Sequence, residues 1–241
     1  MRWDHPERGM LPPDEFLAIA EETGLIVPLG EFVIRQALSE MAGWKGDFRL
    51  AINLSPSQIR SVDLLPTIAD ALAATGFDAS RIEFEITEHV ILQADSSATA
   101  TLNRLRASGI RIALDDFGTG YSSLSYLRRF PFDRIKIDRS FVKDLTSSTS
   151  SRAIVSTVIG LGRSMGMQVT AEGVEDRAQL QILAELGCDE AQGYLILEPL
   201  AASEIDRMRA GLGVDWGDGV LDYAAARAAI LRRRRQSGQS A

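Results

Sequence analysis

The stretch GIRIALDDFGTGYSS (109–123) carries the pattern that organises this chain. Gly109 closes a helically spaced segment over 95–108. A short run rich in β-branched and apolar residues follows, IRIAL, and it ends in two adjacent acids and a glycine-rich turn. A short apolar run between turn signals predicts a buried strand. The same unit recurs outward in both directions. Strand-like runs fall at FRLAIN (48–53), RIEFEIT (81–87), RIKID (134–138), MQVTAE (167–172) and AQGYLIL (191–197). Helical spacing fills LPPDEFLAIAEETG (11–24), VPLGEFVIRQALSEMAGW (27–44), 63–75, 151–165, 176–186 and 201–211. Alternation of this kind predicts βαβ units and an α/β fold with a parallel sheet. Two arrangements stay open on spacing alone. One is a (β/α)8 TIM-like barrel lacking its first two strands, because a closed barrel needs about eight and the chain begins with helices. The other is a complete open doubly wound sheet.

The 241 residues suit one large domain or two small ones. An apolar fraction of 45% is enough for a core. The net charge of −7 argues against a binder of polymeric nucleic acid, which needs a basic face. It leaves room for a small phosphate-bearing ligand held through metal ions. Cys188 is the single cysteine, so no intrachain disulfide or thiolate zinc site is available. No apolar run reaches the ~18 residues of a membrane span and no signal-peptide core follows Met1, so a cytoplasmic protein is expected. The main domain is expected over 1–212. A tail over 213–241 reads as an Ala-rich helix ending in Arg232–Arg235, either a solvated helix or a weak contact for an anionic surface.

The chemistry appears at the ends of the strand-like runs. They carry Asn53, then Glu85 and Glu88, Asp115 and Asp116, Lys136 and Asp138, Glu172 and Glu175, and Gln192. In a parallel barrel all such positions meet on the C-terminal rim, where these folds build active sites. Any one acid there can be a helix cap. Seven carboxylates on one rim would repel or stay protonated unless cations sit among them. An all-oxygen donor set selects hard divalent ions, Mg²⁺ or Mn²⁺. Adjacent Asp115 and Asp116 suit a pair of ions, the arrangement used for phosphoryl chemistry. In RIKID, Lys136 and Asp138 share a face while Ile135 and Ile137 take the other. Lys136 is either a salt-bridge partner of the acids or a group that orients an attacking water. GTGYSS (118–123) lacks the ending of a phosphate P-loop and reads as a rim loop. His89 reads as a bystander.

Taken together, NLSP, EITE, IALDDFGTGYSSL, KIDRSFV, AEGVE and QGYLILEPL, in this order, resemble the EAL domain family over residues 2–210. The resemblance implies a (β/α)8-type barrel with one antiparallel strand. It implies hydrolysis of cyclic di-GMP to linear pGpG with two Mg²⁺ or Mn²⁺ ions, in bacterial second-messenger signalling. By motif position Asn53, Glu85 and Asp115 look like ligands of one ion, with Asp116 and Asp138 at the second. Glu172 looks like a metal-linked acid and base, and Lys136 like the lysine that orients water. Glu88 and Glu175 would steady the loop that begins Phe117, Gly118, Thr119, Gly120. Gln192 would support the ligands or the substrate, and Arg2 would contact a substrate phosphate.

The chain departs from the family pattern at its first residue. Met1 stands where the family's Glu-Ala-Leu motif ends, so the motif Glu and two early strands are expected to be missing, and His89, Ile196 and Glu198 are smaller departures. Extending the chain to carry that Glu is expected to tighten metal binding. The alternative to an enzyme is a cyclic di-GMP receptor or protein-interaction module. A third reading is a truncated product whose bare sheet edges favour aggregation or a homodimer. An upstream sensory or cyclase domain is a further expectation from the family.

Overall fold

Residues 1–44, 48–92, 95–119, 127, 130 and 132–205 are described by a computed structural model. It divides into two units. The first takes in the described residues of 1–44, 49–115 and 120–132, and the second those of 45–48, 116–119 and 133–205.

The first unit begins with a small antiparallel hairpin, β1 (Trp3–His5) and β2 (Gly9–Leu11), in the register Trp3 with Leu11. The expectation that the chain starts with helices misses this element. The turn is closed by His5, whose Nδ1 accepts from the backbone N–H of Glu7 at 3.1 Å and of Arg8 at 3.2 Å. Trp3 meets His5 and Phe16 edge-on. Helices α1 (Leu17–Glu22) and α2 (Ile26–Ala42) follow. Then come β3 (Leu50–Asn53), α3 (Pro56–Arg60), α4 (Leu64–Thr75), β4 (Ile82–Thr87), α5 (Glu88–Leu92), α6 (Ser96–Ala107) and β5 (Arg111–Phe117).

Strands β3, β4 and β5 pair parallel in chain order. In β4, Ile82, Phe84 and Ile86 bury one face, while Glu83 and Glu85 are buried on the other. Helix α2 buries Ile26, Gly30, Ile34, Leu38 and Met41, one stripe at helical spacing, and packs on α4. Helix α3 was not legible as a separate element. It is held by a capping box in which Ser55 N donates to Gln58 Oε1 at 2.9 Å and Gln58 N to Ser55 Oγ at 3.3 Å. The buried Gln58 amide lies against Gly30, where an added Cβ would stand 1.7 Å from Gln58 Nε2. Gln58 cannot swing aside without opening the box. Gly30→Ala is therefore expected to lower stability by about 1–3 kcal/mol through overpacking, read as a fall in the urea midpoint.

The second unit holds β6 (Arg134–Ile137), α7 (Arg139–Lys143), α8 (Thr149–Met165), β7 (Gln168–Ala171), α9 (Arg177–Leu186) and β8 (Glu190–Ala191). Strands β6, β7 and β8 are again parallel and in chain order. Ser148 caps α8, and Asp176 with Gln179 forms a capping box on α9. Neither run of strands contains the order reversal of a doubly wound sheet, so that alternative falls away. The six parallel strands among the described residues, each followed or preceded by helix, are the succession of an α/β barrel, six of about eight.

The predicted strand over 191–197 is shorter than its sequence suggests. It ends within one residue of Ala191, at the bond from Gln192 N to Ala171 O of 2.8 Å. At Gly193 the chain crosses the backbone of Val174, where a Cβ would lie 2.2 Å from its carbonyl oxygen. A turn follows, with Ile196 N donating to Gly193 O at 3.0 Å. Backbone contact at Gly193 overrides the strand preference of YLIL. Of the helix expected over 201–211, residues 202–205 are helical, and the remainder and the Arg-rich tail lie outside the described residues. Among the described residues no helix is long and apolar enough to cross a membrane.

Cys188 lies between β7 and β8, with Sγ 3.4 Å from Val169 O and 3.2 Å from Glu190 O. Burial pushes its thiol up to about 11. The folded chain is thus expected to react with iodoacetamide at pH 8 about 100-fold more slowly than the urea-unfolded chain, because the thiolate is the nucleophile. The raised value also means that Cys188 favours the folded state below pH ~9 and that this contribution fades as pH rises toward ~11.

Candidate functional site

In the first unit, adjacent strand ends bring Asn53 and Glu85 into register. Glu85 is buried and Asn53, the last residue of β3, is exposed. Residue Thr87 of β4 pairs with Asp115 of β5, which is buried. Glu88 opens α5 and is also buried. Arg2 precedes β1 and is exposed. The deeper acid Glu83 faces the same side as Glu85, two residues toward the start of the strand.

At the end of β5 the pleat alone would send consecutive Asp115 and Asp116 to opposite faces. The backbone solves this. Asp116 has φ +54°, the one positive value at a non-glycine among the described residues. Left-handed backbone is costly for most L-residues and best tolerated by Asn and Asp. The turn is fastened by Thr119, whose Oγ1 donates to Asp116 O at 2.8 Å. Gly118 follows with φ +97° and lies against the ring of Phe141, which a Cβ there would meet at 3.0 Å. Phe117 is buried. As a result Asp115, its neighbour Asp116, and Glu172 each present an oxygen within 4.8 Å of the others. Three carboxylate oxygens at this spacing are a hard donor set that fits a divalent cation. Gly120 lies outside the described residues.

In the second unit, Lys136 is buried and its Nζ lies 2.6 Å from Glu172 Oε1. Its two flanking isoleucines, Ile135 and Ile137, are fully buried on the other face of β6, as the alternation predicts. Glu172 follows β7 and donates its N–H to Ile137 O at 3.1 Å, which extends the β6–β7 pairing past the strand end. Asp138 takes another part. It is the N-cap of α7, with Oδ1 accepting from Ser140 N at 3.0 Å and from Ser140 Oγ at 2.5 Å, and it is not one of the three gathered acids. Glu175 and Gln192 are exposed. Glu175 N donates to Gln179 Oε1 at 2.7 Å, and Gln192 O accepts from Val174 N at 3.0 Å. The motif reading passed over Arg134, a buried cation two residues before Lys136. Shared parity with Lys136 was the available signal.

Parallel strands in chain order, a buried lysine on an acid, and three gathered carboxylates define a barrel-class α/β protein with an acidic centre whose donor set fits a divalent cation. The EAL domain model matches residues 1–199, and the chain belongs to the EAL domain family. MucR of Pseudomonas aeruginosa, a bifunctional diguanylate cyclase/cyclic di-GMP phosphodiesterase, is 39% identical over 209 residues, covering 85% of this chain and 30% of MucR. The solved PaMucR phosphodiesterase in complex with c-di-GMP superposes with a TM-score of 0.80 at 39% identity, covering 85% of this chain and 84% of that one. BlrP1 of Klebsiella pneumoniae, solved with manganese and cyclic di-GMP, gives 0.73 at 33% identity over 80% of this chain and 49% of that one. The chain spans 24–30% of the length of the curated relatives it matches first.

Proposed function

We propose that this chain hydrolyses cyclic di-GMP to linear pGpG at the centre formed around Asp115, Asp116 and Glu172. The observation that carries the reading is the pair at 2.6 Å between buried Lys136 and half-buried Glu172, set beside two further carboxylates in a member of this family. Asn53, Glu85 and Asp115 would hold one divalent ion, Mg²⁺ or Mn²⁺. Asp116 and Asp138 would hold the second, and both Asp138 hydrogen bonds fall on Oδ1, which leaves Oδ2 for the ion. When bound, such ions would supply the positive charge that an anionic diester needs in an acidic site and would lower the pKa of a coordinated water.

The side chains then have separable tasks. Lys136 fixes the Glu172 carboxylate, which takes the proton of the water that adds to phosphorus. The P–O3′ bond breaks, the 3′ oxygen takes up a proton, and no covalent intermediate forms. Glu88 and Glu175 steady the turn that starts at Asp116. Gln192 and Arg2 contact the substrate. Incubating the purified chain with cyclic di-GMP and Mn²⁺ and resolving the products by ion-exchange chromatography tests the reading. A single product, pGpG, is expected. Binding without turnover would replace hydrolysis with a receptor role.

A further inference from the structure

Two residues below the Lys136–Glu172 pair, on the same face, the second unit holds another buried cation. Arg134 forks across the sheet. Its Nη1 lies 2.6 Å from Thr170 Oγ1 and 2.5 Å from Glu190 Oε2, and its Nη2 donates to Glu190 Oε1 at 2.9 Å and to Gln168 Oε1 at 3.0 Å. The register explains the reach. Arg134 pairs with Gln168 and Lys136 with Thr170, while Thr170 pairs with Glu190. Each cation therefore leans one step forward along β7, Arg134 to Thr170 and Lys136 to Glu172. Two cations and two acids share one face of three strands. A lysine could not make the planar, two-pronged contact to Glu190 and reach Gln168 as well.

We propose that Arg134 is a positioning residue that reserves Lys136 for Glu172 by neutralising Glu190. Lys136 stands between two acids, Glu172 ahead of it and Glu190 beside its register partner Thr170. With Arg134 in place, Glu190 is held in a bidentate pair, and the ammonium of Lys136 stays on Glu172. Without that guanidinium, Glu190, whose side chain is 47% exposed, becomes a rival anion for the buried Lys136 ammonium, which gains from any carboxylate within reach. The role rests on the hydrolytic reading above only for its effect on rate; the pairing itself does not.

The ¹H–¹⁵N resonance of the Lys136 ammonium in the full chain tests it, assigned by its loss in Lys136→Met. In the wild-type chain the resonance shifts when Glu172 is changed to Gln. Arg134→Met is expected to move the resonance and to abolish its response to Glu172→Gln. Arg134→Met combined with Glu190→Gln is expected to restore both, and Glu190→Gln alone to leave both intact. A merely structural arginine predicts the opposite order, since the double variant loses more of the network than the single one. In kinetics, Arg134→Met is expected to lower kcat on the order of 100-fold with KM little changed, as for a displaced catalytic group, and the double variant to recover most of it. An unchanged resonance in Arg134→Met, or a double variant no better than the single one, overturns the proposal. If the single variant does not fold, the double variant with wild-type pairing still supports it, and one with altered pairing overturns it. A wild-type chain without turnover removes the hydrolytic reading and leaves the resonance test standing.

Discussion

Lys136→Met is expected to lower kcat for the proposed cyclic di-GMP hydrolysis by about 10²–10⁴-fold, the range for a group that directs proton transfer. Methionine keeps the unbranched shape and loses the charge. Glu172 then has no ammonium at 2.6 Å to hold it, while its proximity to Asp115 and Asp116 remains. Repulsion among the three acids turns Glu172 away from the attacking water. KM is expected to change far less than kcat, because Lys136 is buried and pairs with Glu172. Lys136→Arg is not expected to restore the rate, since a planar guanidinium is larger than an ammonium and Lys136 is buried. Circular dichroism and melting show whether each variant is folded. Turnover within a few-fold of wild type in Lys136→Met would sink the assignment.

The second large effect concerns Asp116, where charge and backbone are separable. Asp116→Asn keeps a residue that tolerates φ +54° and removes one of three gathered charges. The metal-free melting temperature is expected to rise by about 2–4 °C, the shift that ~1 kcal/mol of relieved repulsion gives a chain of this size. Mn²⁺ is expected to stabilise the wild-type chain progressively through mass action, and Asp116→Asn to weaken that dependence without removing it, because the ion held by Asn53, Glu85 and Asp115 keeps its ligands. Turnover should fall with it. Asp116→Val loses the same charge and adds backbone strain of about 1–2 kcal/mol, so its metal-free melting temperature should fall below that of Asp116→Asn. Thermal melts with and without Mn²⁺ distinguish the two variants. Equal Mn²⁺ stabilisation of wild type and Asp116→Asn would remove Asp116 from the cation site.

Much of the framework is local, and local information is what a sequence carries. Gly109, Gly166 and Gly187 close their helices where expected, and Gly166 and Gly187 do so in left-handed conformation. Apolar runs bounded by such turns predict β3 to β7 closely. The acids at their ends are visible because they follow each run. Strand parity correctly separates Lys136 from Ile135 and Ile137. What failed was where distant backbone decides. YLIL has strand character, yet Gly193 must cross Val174, and the crossing ends β8. Residues 3–11 form a hairpin because His5 ties its turn and Trp3 finds Phe16.

The βα succession, the parallel sheet, the family and the roster of acids are all written locally along the chain. Each of these depends on periodicity, turn chemistry or motif within a few residues. Which groups act on one another is set by the folded chain. Parity cannot gather two consecutive aspartates, and the left-handed turn at Asp116 does. Nothing near Lys136 in the chain names Glu172 as its partner, because strand register across 36 residues sets that pair. The same register puts Arg134 on Glu190, 56 residues away. Pairings of this kind arise from backbone hydrogen bonds between strands, and their partners are chosen by the fold as a whole.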